Sequence, residues 1–157
     1  MGYDVQIVEV PRRDVAVVRT RTGFDEIPAF MGSAFGHVAG VIAPLGLLGD
    51  GPAIGRYTEM DPVAGTLVVA AGFVVPGAIR PAGDVVPDEL PATEAATTVH
   101  LGAYSRISEA YDAIAAAMAL HGRELDESTM WEEYWSPSGT PDEQVKTVVF
   151  CPLKPVA

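Results

Sequence analysis

Residues 131–135 read Trp131-Glu132-Glu133-Tyr134-Trp135, two carboxylates set among three aromatic rings. On a β-strand alternate side chains share a face, so Glu132 and Tyr134 point one way and Trp131, Glu133 and Trp135 the other. One glutamate therefore shares a face with an aromatic partner, whichever face lines a cleft. A carboxylate ringed by tyrosines attracts a flat, cationic or electron-poor molecule, through ion pairing and contact with the ring faces. The cation–π part alone is worth about 2 kcal/mol in a dry site. The first half of the chain offers Gly55-Arg56-Tyr57 at the matching place. That pairing sets Tyr57 opposite Tyr134, with Glu132 beside them and Gly55 leaving room, while Arg56 alternates away toward the surface. Trp131 or Trp135 would stack on a flat aromatic ligand.

Other chemistry-bearing residues read as structure. The loop glycines at 46, 49, 51 and 55 are followed by no Gly-Lys-Ser/Thr. No strand leads into them either, so they do not form a phosphate loop. His37 and His121 fall late in helical stretches, where an imidazolium is mildly favoured. His100 precedes a glycine turn and reads as a strand-end hydrogen bonder. Cys151 reads as a small buried hydrophobe. Ser105 and Ser108 have no Asp/His constellation to activate them.

Positioning these groups requires a repeated unit. Glu9-Val10-Pro11 aligns with Glu89-Leu90-Pro91, Gly23-Phe24 with Gly102-Ala103-Tyr104, and Ile27 with Ile107, all at a nearly constant offset. Each copy reads strand, helix, strand, strand. In the first, the β-rich runs Val5–Ile7 and Val15–Arg19 flank a turn. A helical stretch follows with Ile27, Phe30, Met31, Ala34, Phe35, Val38 and Val41 on one face. Strands near 53–59 and 66–75 complete it. In the second copy, residues 93–100 form a strand and Ser105 a helix N-cap. Ile107, Ala110, Tyr111, Ile114, Ala117, Met118 and His121 form the helix face. Strands over 130–135 and 145–153 are joined by the turn Pro137-Ser138-Gly139-Thr140-Pro141. The expected architecture is α+β in a single domain, with repeat one about 3–76, a linker 77–88 and repeat two about 89–154. Two pseudo-symmetric β-α-β-β repeats would put both helices on one face of an antiparallel sheet. The other face would curve into a central ligand cleft where the units meet.

The chain of 157 residues is long enough for a buried core. Hydrophobic residues make up 48% and charged residues 20%, a balance that argues against disorder. The formal net charge is −11. Such a surface repels phosphate backbones and anionic lipids, so no direct nucleic acid and no membrane partner is expected. No apolar run is expected to reach the roughly 18 residues of a membrane span. The start lacks a basic signal-peptide region, giving a cytoplasmic expectation. One cysteine and three histidines point to no disulfide, no metal and no cofactor.

The string His100-Leu101-Gly102-Ala103-Tyr104, a helix, Glu132-Glu133-Tyr134, Pro137…Thr140-Pro141 and Cys151-Pro152-Leu153 resembles the GyrI-like effector-binding family over nearly the whole chain. That family includes ligand-sensing domains of multidrug-responsive transcription activators and free-standing small-molecule binders. The resemblance implies a central cleft whose acid falls on Glu132 and whose aromatic wall falls on Tyr57, Tyr104 and Tyr134. Phe24 stands where the first repeat would place the partner of Tyr104. It also implies a hydrophobic, aromatic or cationic small-molecule partner, for drug sensing or sequestration, in a monomer or homodimer. Some stand-alone members open cyclopropanes of DNA-alkylating natural products. In that alternative Glu132 is a general base on water and Tyr134 a catalytic hydroxyl. A third reading is a protein-binding gyrase modulator, although Asp and Glu are scattered here rather than blocked. With the effector unit expected to fill the chain, no helix-turn-helix is expected before or after it.

Overall fold

A computed structural model describes residues 2–137 and 139–156. Apolar residues alternating along the strands set the layers. The first half contains β1 (Gln6–Val10), β2 (Arg13–Gly23), α1 (Ile27–Ile42), β3 (Ala53–Asp61) and β4 (Thr66–Val75). The second contains β5 (Val86–Leu90), β6 (Thr93–Leu101), α2 (Ser108–Leu120), β7 (Thr129–Tyr134) and β8 (Lys146–Pro152). All paired strands are antiparallel, in one eight-stranded sheet of order β1-β6-β8-β7-β3-β4-β2-β5. Exchanging each strand for its counterpart four places on reverses that order, so the repeats are related by a pseudo-dyad through the β3–β7 pair.

Each repeat begins with a strand that lies at an outer edge of the sheet. β1 pairs with β6 of the second repeat, and β5 with β2 of the first. The two repeats therefore exchange their leading strands. Residues 86–88, expected in the linker, are strand.

Both helices cover one face. Met31 and Ala34 of α1 pack with Tyr57, Leu67, Val69 and Ala71. Ala110, Ile114 and Met118 of α2 pack with Ala96, Val149 and Cys151. Val149 lies directly across from Glu132, and Glu132 across from Gly55, so these side chains share that face.

The opposite face corrects an expectation. Among the described residues it closes on itself where a cleft was expected: Val15, Val17, Ile54, Ala70, Leu90 and Trp131 are buried there against one another and Phe150. With no helix to cover them, the curling of the sheet removes these apolar groups from water. Gly72 permits a close approach within it: a Cβ there would sit 1.8 Å from the Ala16 carbonyl oxygen.

Three local differences follow. With its flanking 3₁₀ turns, the first helix spans 22 residues, Phe24–Leu45, and an 18-residue stretch of it has a mean hydropathy of 1.3, long and apolar enough to cross a membrane by length and composition. The expectation that no such run exists was too strict, because polar residues are sparse after Glu26. Here the inward residues Met31, Ala34, Val38 and Ile42 are buried on the sheet. Ser105 lies within a 3₁₀ turn and caps no helix. In the expected Pro137–Pro141 turn, Ser138 lies outside the described residues, while Thr140 N–H donates to the Pro137 carbonyl at 3.2 Å.

Candidate functional site

The centre of the helix-bearing face is a carboxylate. Strand alternation turns Glu132 inward from β7, beside the pseudo-dyad, where it is 1% exposed. Its Oε1 accepts hydroxyl hydrogen bonds from Tyr134 at 2.5 Å, Tyr104 at 2.6 Å and Tyr57 at 3.2 Å. Its Oε2 accepts a short hydrogen bond from Tyr111. The Tyr57 hydroxyl also lies 3.0 Å from that of Tyr134 and 3.1 Å from that of Tyr104. Among the described residues, no lysine, arginine or histidine forms a salt bridge to Glu132.

Each phenol reaches the acid from a different element. Tyr57 comes from β3, Tyr134 from β7, Tyr111 from the first turn of α2, and Tyr104 from the 3₁₀ turn Tyr104–Arg106 before it. Gly55 makes room: a Cβ there would lie 2.5 Å from the Tyr134 hydroxyl and 2.6 Å from Met31 Cε. Tyr134 is held edge-on between Phe35 and Tyr104, with centroids 5.7 and 5.9 Å away.

Burial first, and then the Glu132 charge, raise all four phenols above their ordinary pKa. A proton is harder to remove from a phenol that lacks water and faces a carboxylate. The same two causes push the Cys151 thiol up to about 12.

The repeat is chemically asymmetric. Under the pseudo-dyad, Tyr57 and Tyr134 exchange, whereas Glu132 falls on Gly55, Tyr104 on Phe24 and Tyr111 on Met31. The acid and three of its four phenols thus come from the second repeat, while the first supplies Tyr57 among apolar groups.

Beside this cluster lies a cavity of about 760 Å³. Its floor includes Tyr57, Met130 and Glu132, its walls Tyr104 and Tyr111, and Phe24 stands at the edge. Phe24 is 47% exposed. A second chamber of about 280 Å³ lies beyond Tyr104, against Phe35, Met31 and Tyr134. The first volume falls within the roughly 300–1,000 Å³ of small-molecule sites.

The structure brings Tyr57, Tyr104, Glu132 and Tyr134 together and puts Phe24 at the rim. The tryptophans do not join them. Trp131 is buried on the opposite face, stacked on Phe150 at 5.6 Å, because odd and even positions of β7 face opposite sides. Trp135, just beyond β7, is half exposed; its indole N–H donates to Glu133 at 3.1 Å, and Lys146 lies 5.5 Å from its ring centroid. Glu133 also faces away, paired with Arg13 at 2.9 Å. Arg56, expected at the surface, is mostly buried and donates to Thr129 at 3.0 Å and to the Glu89 carbonyl at 2.7 Å.

Tyr111 was missed as a site residue. Its place on the apolar face of α2 reads equally well as core, and the available signal was a hydroxyl on that inward face. Among the described residues, no group of three or more His, Cys, Asp or Glu side chains is placed to hold a metal.

The family model described as the GyrI-like small molecule binding domain matches residues 3–154. No curated protein matches the chain significantly. Among solved structures, the EcmrR C-terminal domain is 18% identical with a TM-score of 0.79, covering 99% of this chain and 100% of that one. SAV2435 bound to tetraphenylphosphonium is 16% identical with a TM-score of 0.66, covering 98% and 94%. A hydrolase encoded by lin2189 from Listeria innocua is 12% identical with a TM-score of 0.64, covering 98% and 93%. At these identities the likeness shows the shared fold.

Proposed function

We propose, for a chain that belongs to the GyrI-like small molecule binding domain family, that it binds lipophilic aromatic cations in the cavity beside Glu132, without transforming them. The observation that carries this reading is a buried carboxylate whose hydrogen-bond partners are phenols and which forms no ion pair among the described residues. Taking a carboxylate out of water is costly, and a cation whose charge is spread over apolar groups loses little hydration in compensating it. Tyrosine faces add attraction to the same charge. The Phe24, Met31 and Phe35 side suits the ligand's apolar body. A cation-bound protein of the same fold agrees with this reading.

Hydrolysis is less well supported. A general base needs a lone pair aimed at its water. Glu132 Oε1 already accepts three hydroxyls and Oε2 one, so of the roughly four lone-pair positions, two on each oxygen, a single one on Oε2 is left for a water. The raised phenols supply no tyrosinate at neutral pH.

Calorimetric titration with tetraphenylphosphonium and with neutral triphenylphosphine oxide tests the proposal. Glu132→Gln is expected to weaken the cation at least tenfold, about 1.4 kcal/mol, and to leave the neutral compound nearly unchanged. Equal loss for both, or no loss for the cation, would remove charge recognition by Glu132. A cyclopropane-bearing alkylator incubated with catalytic amounts of protein is expected to come back intact; multiple turnovers to ring-opened product would establish the hydrolase reading instead.

A further inference from the structure

The cavity wall at Tyr104 is tied to the start of the chain by consecutive contacts. His100, near the end of β6, is 3% exposed. Its Nε2 lies 2.9 Å from the carbonyl of Ala103, the residue just before Tyr104. A carbonyl only accepts, so Nε2 carries the proton. In the neutral ring Nδ1 is then an acceptor, and the Tyr3 hydroxyl donates to it at 2.8 Å. The two rings stack, with centroids 6.0 Å apart and planes 19° from parallel. Next to Tyr3, the Asp4 carbonyl accepts from Thr98 Oγ1 at 2.9 Å.

The turn held by His100 is continuous with the start of α2: the Ala103 carbonyl also accepts the Arg106 N–H at 3.0 Å, and the Tyr104 carbonyl the Ile107 N–H at 3.0 Å. Gly102 has φ +136, a region open to glycine and strained for other residues. Its N–H donates to the Val145 carbonyl at 2.9 Å, which anchors the turn to the segment before β8. Beyond it, Tyr104 stands between the two chambers and donates to Glu132. A shift of the turn backbone at Tyr104 carries the adjoining Ala103 carbonyl with it, and that carbonyl holds the His100 ring on which Tyr3 is docked.

We infer that Tyr3 and His100 form a latch that positions Tyr104, so that ligand occupancy of the cavity and docking of the segment 3–5 stabilise each other. Two groups that favour one arrangement of a shared element are coupled reciprocally: whatever docking adds to affinity, the ligand adds to docking. The inference rests on the cation-binding reading above. His100 and Tyr3 act through Tyr104 and are positioning residues.

Tetraphenylphosphonium titrations and amide hydrogen exchange provide the test. Tyr3→Phe retains the ring and removes the hydroxyl, and is expected to weaken tetraphenylphosphonium about three- to tenfold, the loss of one hydrogen bond. In the unmutated chain, saturating tetraphenylphosphonium is expected to slow exchange at the Asp4 and Val5 amides, and in Tyr3→Phe that extra protection disappears. A purely structural role would lower thermal stability and leave both readouts unchanged. Undiminished affinity in a folded Tyr3→Phe, or ligand-independent exchange at Asp4 and Val5 in the unmutated chain, overturns the latch while the binding reading stands. Failure of the unmutated chain to bind tetraphenylphosphonium overturns both, and the exchange measurement holds even if Tyr3→Phe does not fold.

Discussion

Each phenol around Glu132 offsets part of what burial of a carboxylate costs, and of the four only Tyr111 bonds Oε2. A hydrogen bond to a charged group contributes roughly 1.5–3 kcal/mol. Tyr111→Phe removes the hydroxyl that satisfies Oε2, where Tyr57, Tyr104 and Tyr134 share Oε1. Urea unfolding at neutral pH is expected to show Tyr111→Phe destabilised by about 2 kcal/mol. Tyr57→Phe, whose bond to the acid is the longest, is expected to lose less. Equal losses would mean that the two oxygens are not distinct. Strand alternation and the repeat offset, both explicit in the sequence, were enough to bring Glu132, Tyr57 and Tyr134 together, whereas Tyr104, on a turn, came in only through the family resemblance. Tyr111 came in through neither, since a tyrosine at a core spacing of a helix carries no mark of where its hydroxyl points.

Two glycines show how strands and helices shape the cavity. At Gly55 the atoms that an added Cβ would meet are the ends of two side chains, Tyr134 and Met31, which can give way. At Gly72 they are the backbone of Ala16 and Val17, which cannot move without parting β2 from β4. Thermal or urea denaturation is therefore expected to rank Gly72→Ala as the worse, at about 3 kcal/mol or more, and Gly55→Ala at about 1–2 kcal/mol. Gly55→Ala is also expected to weaken tetraphenylphosphonium, because Tyr134 must leave its place at Glu132; the reverse ranking would contradict the packing described. Gly55 was legible as a small residue facing an aromatic. Gly72 was not, because close contact between neighbouring strands depends on how strongly the whole sheet curls.

Over the molecule as a whole, the buried phenols and Cys151 make stability fall in alkali. All five tyrosines, and Cys151, have pKa values raised above their ordinary ones. The folded chain therefore holds these protons more tightly than the unfolded chain. Their contribution is complete below the unfolded values of about 8.5 for a thiol and 10 for a phenol. It declines as pH rises beyond them, since the unfolded state then binds fewer protons. Absorbance at the tyrosinate band is expected to show little ionisation near pH 10 in the native protein, then a steep rise coincident with loss of near-ultraviolet dichroism. A smooth non-cooperative titration centred near 10 would mean that the phenols meet water. In the same way, Cys151 is expected to react with a thiol reagent at pH 8 only after unfolding.

Read along the chain, the residues already specify the repeat, the α+β class, most strands and both helices, and which side chains of β7 travel together. These are local or periodic properties, written in the strand period, the helix period and the constant offset between the two halves. The three-dimensional arrangement was needed to show that the cavity lies between the helices, that Trp131 belongs to the opposite core, and that β1 and β5 pair as they do. A strand has two faces of opposite pattern, and nothing along it says which one a helix will cover. That choice is made by the sum of apolar contacts across the sheet, where Val15, Val17, Ile54, Leu90 and Trp131 close against one another and leave Glu132 to its tyrosines.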